Sequence, residues 1–257
     1  MRPFVVIALL VLLGGGFYSI INVMKKNDTS TVMQTAPNVR IIPIEHASAI
    51  IQWGEFALFT DPTGGASAYD GQPGATIILL SDIHGDHLNA ETVTSVINPQ
   101  TILIAPQAVK DLLPQELSSR TIVMHNGDTR TEQGFQITAV PMYNLPESAE
   151  SRHVKGRGNG YVIEKDGFRV YVAGDTAGIP EMRALTDIDI ALVPMNLPYT
   201  MGIEEAANAV LEFKPKQIYP YHYRGQDGLA DVATFKQLVA AGDPSIEVIL
   251  AKWYPTE

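Results

Sequence analysis

The stretch LLSDIHGDHLN, Leu79 to Asn89, sets Asp82, His84, Asp86 and His87 within six positions directly behind an apolar run. On a tight loop that enters a helix, the side chains of His84, Asp86 and His87 can converge on one or two ions, and Asp82 can join them from the strand end. Divalent metals need deprotonated donors, and neutral imidazole with carboxylate suits Zn²⁺, Mn²⁺ or Fe²⁺. The 257 residues include six histidines and no cysteine, which excludes thiolate ligands, a disulfide framework and a cysteine nucleophile. A helix entry capped by Asn89 or Asp86 accounts for one carboxylate and leaves both histidines unexplained.

Apolar alternation and β-branched residues predict strands near 39–44, 48–53, 56–60 and 75–80, separated by turns such as DPTGGASAYDGQPG. Strands and helices then alternate: a helix from Asn89, TILIAP, PQAVKDLL, RTIVMH and the hairpin-like DTRTEQGFQITAVP. A second series runs through GYVIEKDGFRVYVAGD, where EKDGF is a hairpin turn with glycine available for positive φ. IPEMRALT (helix), IDIALVPM (strand), IEEAANAVLEF (helix), KQIYPYH (strand), DVATFKQLVAAG (helix) and SIEVILA (strand) complete it. Two β-rich halves of this kind predict a four-layer α/β/β/α sandwich with helices outside and two sheets face to face. Asp82 to His87, Asp175 and His222 each follow a predicted strand, at the loop edge where chemistry is usually placed.

Pro3 to Met24 carries no charge, and at ~1.5 Å per residue it is about long enough to cross a ~30 Å hydrocarbon layer. Residues 1–24 therefore read as an uncleaved membrane anchor, with a signal peptide as the other reading, and residues 25–38 as a polar linker. The folded domain spans 39–257. Three of the 18 Lys and Arg residues precede Asp28, leaving 15 against 28 acids, a formal −13. Such a surface repels nucleic acid. The one local basic patch is Arg152, Lys155 and Arg157.

DIHGDH resembles the H-x-H-x-D-H signature of the metallo-β-lactamase superfamily, and the likeness runs from about Arg40 to the C-terminus. IEHASAIIQWGEFALFTDP is similar to that superfamily's first hairpin, VYVAGDT to its Gly-Asp-Thr element, and YPYHY to the strand that delivers its last histidine. The branch it is most similar to holds the ascorbate-6-phosphate-lactonase-like and N-acylphosphatidylethanolamine-phospholipase-D-like proteins, and within it a subgroup with H-x-K-G-x-G-N-G-Y. The resemblance implies that Asp86, His87 and His222 hold one metal, that Asp175 lies between two, and that His84 and Asp82 serve the second. Asp82 stands where the family usually has histidine, and VPMYN offers Asn144 where another is common. His153 is a replacement ligand, a substrate contact or a surface residue. An anionic Asp82 in place of imidazole would raise the negative charge of its site and favour a harder ion such as Mn²⁺. The other outcome is a one-metal protein.

His46 reads as a structural histidine and His125 as an exposed one. Asp61 either orients a ligand or caps its turn. Tyr221 and Tyr223 flank His222 and, by strand alternation, pack away from the site. Asn144 and Asn159 are candidate substrate contacts, and Gly156 to Gly160 is an anion-binding backbone or a plain loop. The expected chemistry is hydrolysis by hydroxide from a metal-acidified water, whose pKa falls from ~15.7 towards ~7, with Asp86 orienting that water. Zinc is the first choice of ion, with manganese or iron as alternatives, and one or two ions bound. The expected substrate is an ester, lactone or phosphodiester, small or lipid-borne, met on the extracytoplasmic side. The rival reading is a membrane-tethered scaffold that kept the fold without turnover.

Overall fold

Strict alternation along the first-half strands sends their side chains into two separate cores. The computed structural model describes residues 38–254. The first sheet runs in the order β1 (Val39–Glu45), β2 (Ser48–Trp53), β3 (Phe56–Thr60), β4 (Ile77–Leu79), β5 (Ile102–Ala105) and β6 (Thr121–Val123). Ile51, Leu58, Ile77, Leu79 and Ile104 face the larger core between the sheets, while Ile50, Phe59, Ile78, Leu103 and Ala105 face a smaller one. Helices α1 (Ala90–Val96), α2 (Gln107–Leu112) and α3 (Gln115–Ser118) close that smaller core with Val93, Val109 and Leu117.

The second sheet uses β7 (Thr129–Glu132), β8 (Phe135–Met142), β9 (Gly158–Lys165), β10 (Phe168–Val172), β11 (Ile190–Pro194) and β12 (Gln217–Tyr221). A two-residue hairpin, β13 (Arg224–Gly225) with β14 (Gly228–Leu229), precedes the edge strand β15 (Glu247–Val248). The sheet order is β15-β12-β11-β10-β9-β8-β7. The remaining helices are α4 (Pro180–Arg183), α5 (Ile203–Phe213) and α6 (Val232–Gly242). Val210 and Phe213 of α5, and Phe235 and Val239 of α6, join the larger cluster. Both sheets are thus covered on both faces, the predicted four-layer sandwich.

Parallel pairing sets where chemistry goes. Strands β3 to β6 are mutually parallel, as are β10, β11, β12 and β15, so Asp61, Ser81, Asp175, Asn196 and His222 all leave the carboxyl ends of strands. Two of the tight hairpins match their chemistry: Asp166-Gly167 and Gln133-Gly134 each take positive φ at the two central positions.

Several elements differ from expectation. IPEMRALT is helical over four residues only, and SIEVILA pairs through Glu247 and Val248 alone. The helix at Gln115–Ser118 and a 3₁₀ turn at Ala66–Tyr69 lie in stretches too short for a hydrophobic period to show. Of the glycine-rich GRGNG, Gly156 and Arg157 lie in a turn, with Gly156 exposed at φ +87°, whereas Gly158 and Gly160 sit buried in β9 and belong to no free loop. A Cβ on Gly160 would lie 2.6 Å from the Ala173 carbonyl oxygen and one on Gly158 2.8 Å from that of Ser81, so these glycines permit close backbone approach. The proposed anchor, residues 1–24, lies outside the described residues, as does all of the linker but Asn38. Among the described residues no helix is long and apolar enough to cross a membrane.

Gly160→Ala is expected to destabilise the fold by about 1–3 kcal/mol through overpacking, since the obstructing atoms are backbone. Denaturant unfolding of the variant beside the parent measures it, and an unchanged midpoint would refute the close-approach account.

Candidate metal centre

A tight turn separates the two histidines of the opening motif. The His87 and Leu88 amides both donate to the His84 carbonyl, at 2.9 and 2.8 Å, and Asn89 caps α1 by accepting from the Thr92 amide. His84 and His87 thereby point to different neighbours. One cluster is Asp86, His87 and His222; the other is Asp82, His84 and His153.

Asp175 lies between them. Its Oδ2 is 3.3 Å from His87 Nε2 and 3.1 Å from His153 Nε2, and its Oδ1 is 3.4 Å from His222 Nε2. His222 Nε2 is also 3.2 Å from His87 Nε2 and 3.3 Å from Asp86 Oδ2. Two buried imidazole nitrogens aimed at one another suit a shared cation. So do His153 Nε2 and Asp175 Oδ1, which are buried with no hydrogen-bond partner. Donors bound tetrahedrally at about 2.0–2.2 Å sit about 3.3–3.6 Å apart, and most of these separations fall close to that edge. The donor set, imidazole and carboxylate only, fits a divalent ion in either cluster.

The surroundings fix each donor. Asp61 Oδ2 is 2.8 Å from His87 Nδ1, and its carboxylate accepts from the Ser81 amide at 2.7 Å and the Ser81 hydroxyl at 2.5 Å. Asp61 therefore orients a ligand, the first of its two sequence readings. Gly174 is held by Tyr221, whose Oη accepts from its N–H at 2.8 Å, so this tyrosine both packs and sets the turn that carries Asp175. His222 leaves the extended conformation at φ +46°, and its amide donates to the carbonyl of His46, itself at φ +42°. Asp61 shares that left-handed conformation at φ +42°. Left-handed backbone costs about 1–2 kcal/mol at a non-glycine residue, and three such residues meet at this edge. His46 ring nitrogen lies 3.3 Å from Tyr254 Oη, a structural role, while His125 is exposed beside Asp128.

His153 takes the place that Asn144 leaves. The His153 amide donates to Asn144 Oδ1 at 2.9 Å, and His153 Nδ1 lies 3.2 Å from that oxygen and 3.1 Å from the Tyr199 carbonyl. Asn144 Nδ2 donates to the same carbonyl at 2.8 Å. Asn144 thus positions His153, is half-buried and is not among the residues that line the cavity beside these clusters. Asn159, the other candidate substrate contact, is buried in β9, donating to the Met124 carbonyl and accepting from Asn126, and does not line the cavity. Sequence reasoning missed Ser81 and Asn196; both follow carboxyl strand ends at the motif edge, the signal that would have found them.

Burial works against charge on His87, yet the Asp175 and Asp61 carboxylates outweigh it and hold the imidazole well above its ordinary range. Asp175 and Asp86 resist burial likewise, the histidine charges keeping both carboxyls well below the usual range. A cavity of about 310 Å³ opens on these groups, lined by His84, Gly85, Asp86, Arg152, Asp175, Asn196 and Tyr199. Arg152 lies over the Tyr199 ring, its guanidinium carbon 4.5 Å from the centroid.

With this geometry in view, residues 40–222 match the β-lactamase superfamily domain. The chain belongs to that superfamily. A UPF0173 metal-dependent hydrolase of Thermococcus onnurineus is 35% identical over 183 residues, covering 69% of this chain and 79% of the relative. Its counterpart in Thermococcus kodakarensis is 32% identical over 222 residues, 82% of this chain and 96% of the relative. A crystal structure from Parabacteroides distasonis, assigned as a metal-dependent hydrolase, superposes with a TM-score of 0.74 at 36% identity, covering 85% and 94% of the two chains. The class of enzyme is accordingly a metal-dependent hydrolase.

Because protonated His87 cannot ligate, a bound ion must displace its proton, and the raised pKa extends that competition above pH 6.5. Affinity for Zn²⁺ is expected to rise with pH through neutrality, with proton release on binding. Calorimetry in buffers of different ionisation enthalpy reads the protons directly; heats that do not depend on the buffer would contradict it.

Proposed function

We propose that the chain hydrolyses an ester, lactone or phosphodiester whose substrate carries an anionic group. The observation that carries this reading is the cavity itself, which sets Arg152 among the wall residues Asp86 and Asp175. When bound, a divalent ion supplies Lewis acidity and acidifies water. Asp86, Asp175, His87 and His222 would hold one such ion, and Asp82, His84, His153 and Asp175 a second. Zinc suits this donor set, as do manganese and iron.

The chain's own residues do the rest. Asp86 is partly exposed in the cavity wall and its depressed pKa keeps it a carboxylate at neutral pH, so it would hold the ion and orient the attacking water. Asp61 and Asn144 hold His87 and His153 in fixed orientations. Arg152, stacked on Tyr199, offers the substrate's anion a planar pair of donors. No serine or cysteine nucleophile is needed.

A lipid-borne substrate draws support from a second cavity of about 320 Å³ whose apolar lining is Met195, Leu197, Ile203, Leu229 and Ala230, beside the acidic Glu204, Asp227 and Asp231; Met195 and Leu197 flank Asn196 in the chain. An anchor at residues 1–24 would place the domain beside a lipid surface, on the extracytoplasmic side; protease added to intact cells should then remove it, and protection would sink that placement. Asp82 and Asn144, as departures from the ligand pattern that the resemblance implies, would favour the rival scaffold reading, and His153, aimed at Asp175 beside Asn144, speaks against it.

Asp86→Ala or His87→Ala is expected to lower hydrolysis of a responsive ester or phosphodiester by at least about 10²-fold with the fold intact. Arg152→Ala should raise KM for an anionic substrate and leave a neutral ester unaffected. Full turnover in the Asp86 variant would overturn the catalytic assignment.

A further inference from the structure

Asp82 stands where the resemblance to the superfamily implies a neutral imidazole, and in this chain its carboxylate is fully buried. The charge does not stand alone. Arg157 Nε donates to Asp82 Oδ1 at 3.2 Å and its NH2 group to Oδ2 at 3.1 Å, a two-point contact from a residue 75 positions along the chain. His84 Nδ1 approaches the same Oδ2 at 2.7 Å. The Arg157 side chain is itself only 20% exposed, so little water screens the pair.

We infer that Arg157 and Asp82 act together as a neutral unit, equal in charge to the imidazole they replace, and that Arg157 thereby sets the affinity of the second metal position. The expectation that Asp82 makes this position more negative, and so suited to a harder ion, is corrected by the guanidinium: the two charges cancel. The same short loop, 153–157, supplies both His153 as a ligand and Arg157 as the counter-charge, so it compensates for both departures from the family pattern. Arg157 is a positioning residue, since it touches a ligand and not the reacting atoms. This inference rests on reading Asp82, His84 and His153 as a metal position, but it makes no use of hydrolysis, so a failure to find a substrate leaves it standing.

The test is a charge ladder read by Zn²⁺ binding to the full chain, with chelator competition for affinity and elemental analysis for stoichiometry. Wild type and R157K have a neutral pair. R157Q leaves an uncompensated carboxylate and should bind the second equivalent about tenfold more tightly or better, at 1.4 kcal/mol per tenfold. D82H leaves an uncompensated guanidinium and should bind it at least about tenfold more weakly. D82H/R157Q restores neutrality and should return to within about threefold of wild type. The first equivalent, held by Asp86, His87 and His222, is the internal control and should not move. Should the D82H proteins fail to fold, R157Q against R157K decides alone. A second equivalent that is weaker in R157Q, or missing from wild type and R157Q alike, would overturn the inference, as would a double variant no better than D82H.

Discussion

The carboxylate of Asp175 is the group on which the architecture converges. It is buried, it lies within 3.4 Å of nitrogens from three histidines, and its turn is tied through Tyr221 to β12, two strands away in the sheet. A buried carboxylate is costly unless surrounded by donors or cations. Everything at this edge of the sandwich supplies them: His87 from the first sheet's loop, His153 from the loop before β9, and His222 from the end of β12. The strained backbone at His46, Asp61 and His222 persists because the two packed sheets hold their strand ends in register around that carboxylate.

The loop between β8 and β9 shows how a departure from a family pattern is absorbed. Where the resemblance implies a histidine the chain has Asn144, and this asparagine aims His153, nine residues later. The negative charge of Asp82, where the resemblance implies imidazole, is met by Arg157 from the end of the same loop. Neither change can be judged from its own position. A ligand substitution in isolation looks like a lost site, and only the partner side chains show that the donor count and the charge are restored.

Much of the molecule was legible in its residues. Period-two alternation in QWGEFALFT and TIILL, paired turns with glycine, and strand-end clusters of histidine and aspartate were sufficient for the four-layer fold and for the three segments that carry donors. The short helices and the last edge strand were less legible, because four residues cannot display a helical period and two cannot display alternation. The role of GRGNG was misread for a related reason: glycines inside a strand look like a loop until the opposing Ala173 and Ser81 carbonyls are in place.

By itself the sequence determined the strands, the donor types and the order in which they arrive, since these follow from local patterns of polarity and from the chemistry of imidazole and carboxylate. Tertiary structure alone decided that His153 and not Asn144 faces Asp175, that Asn159 is buried framework, and that Arg157 neutralises Asp82. Those are contacts between side chains from 9 to 75 positions apart. They depend on the three-dimensional meeting of loops, for which no local pattern in the chain carries a signal.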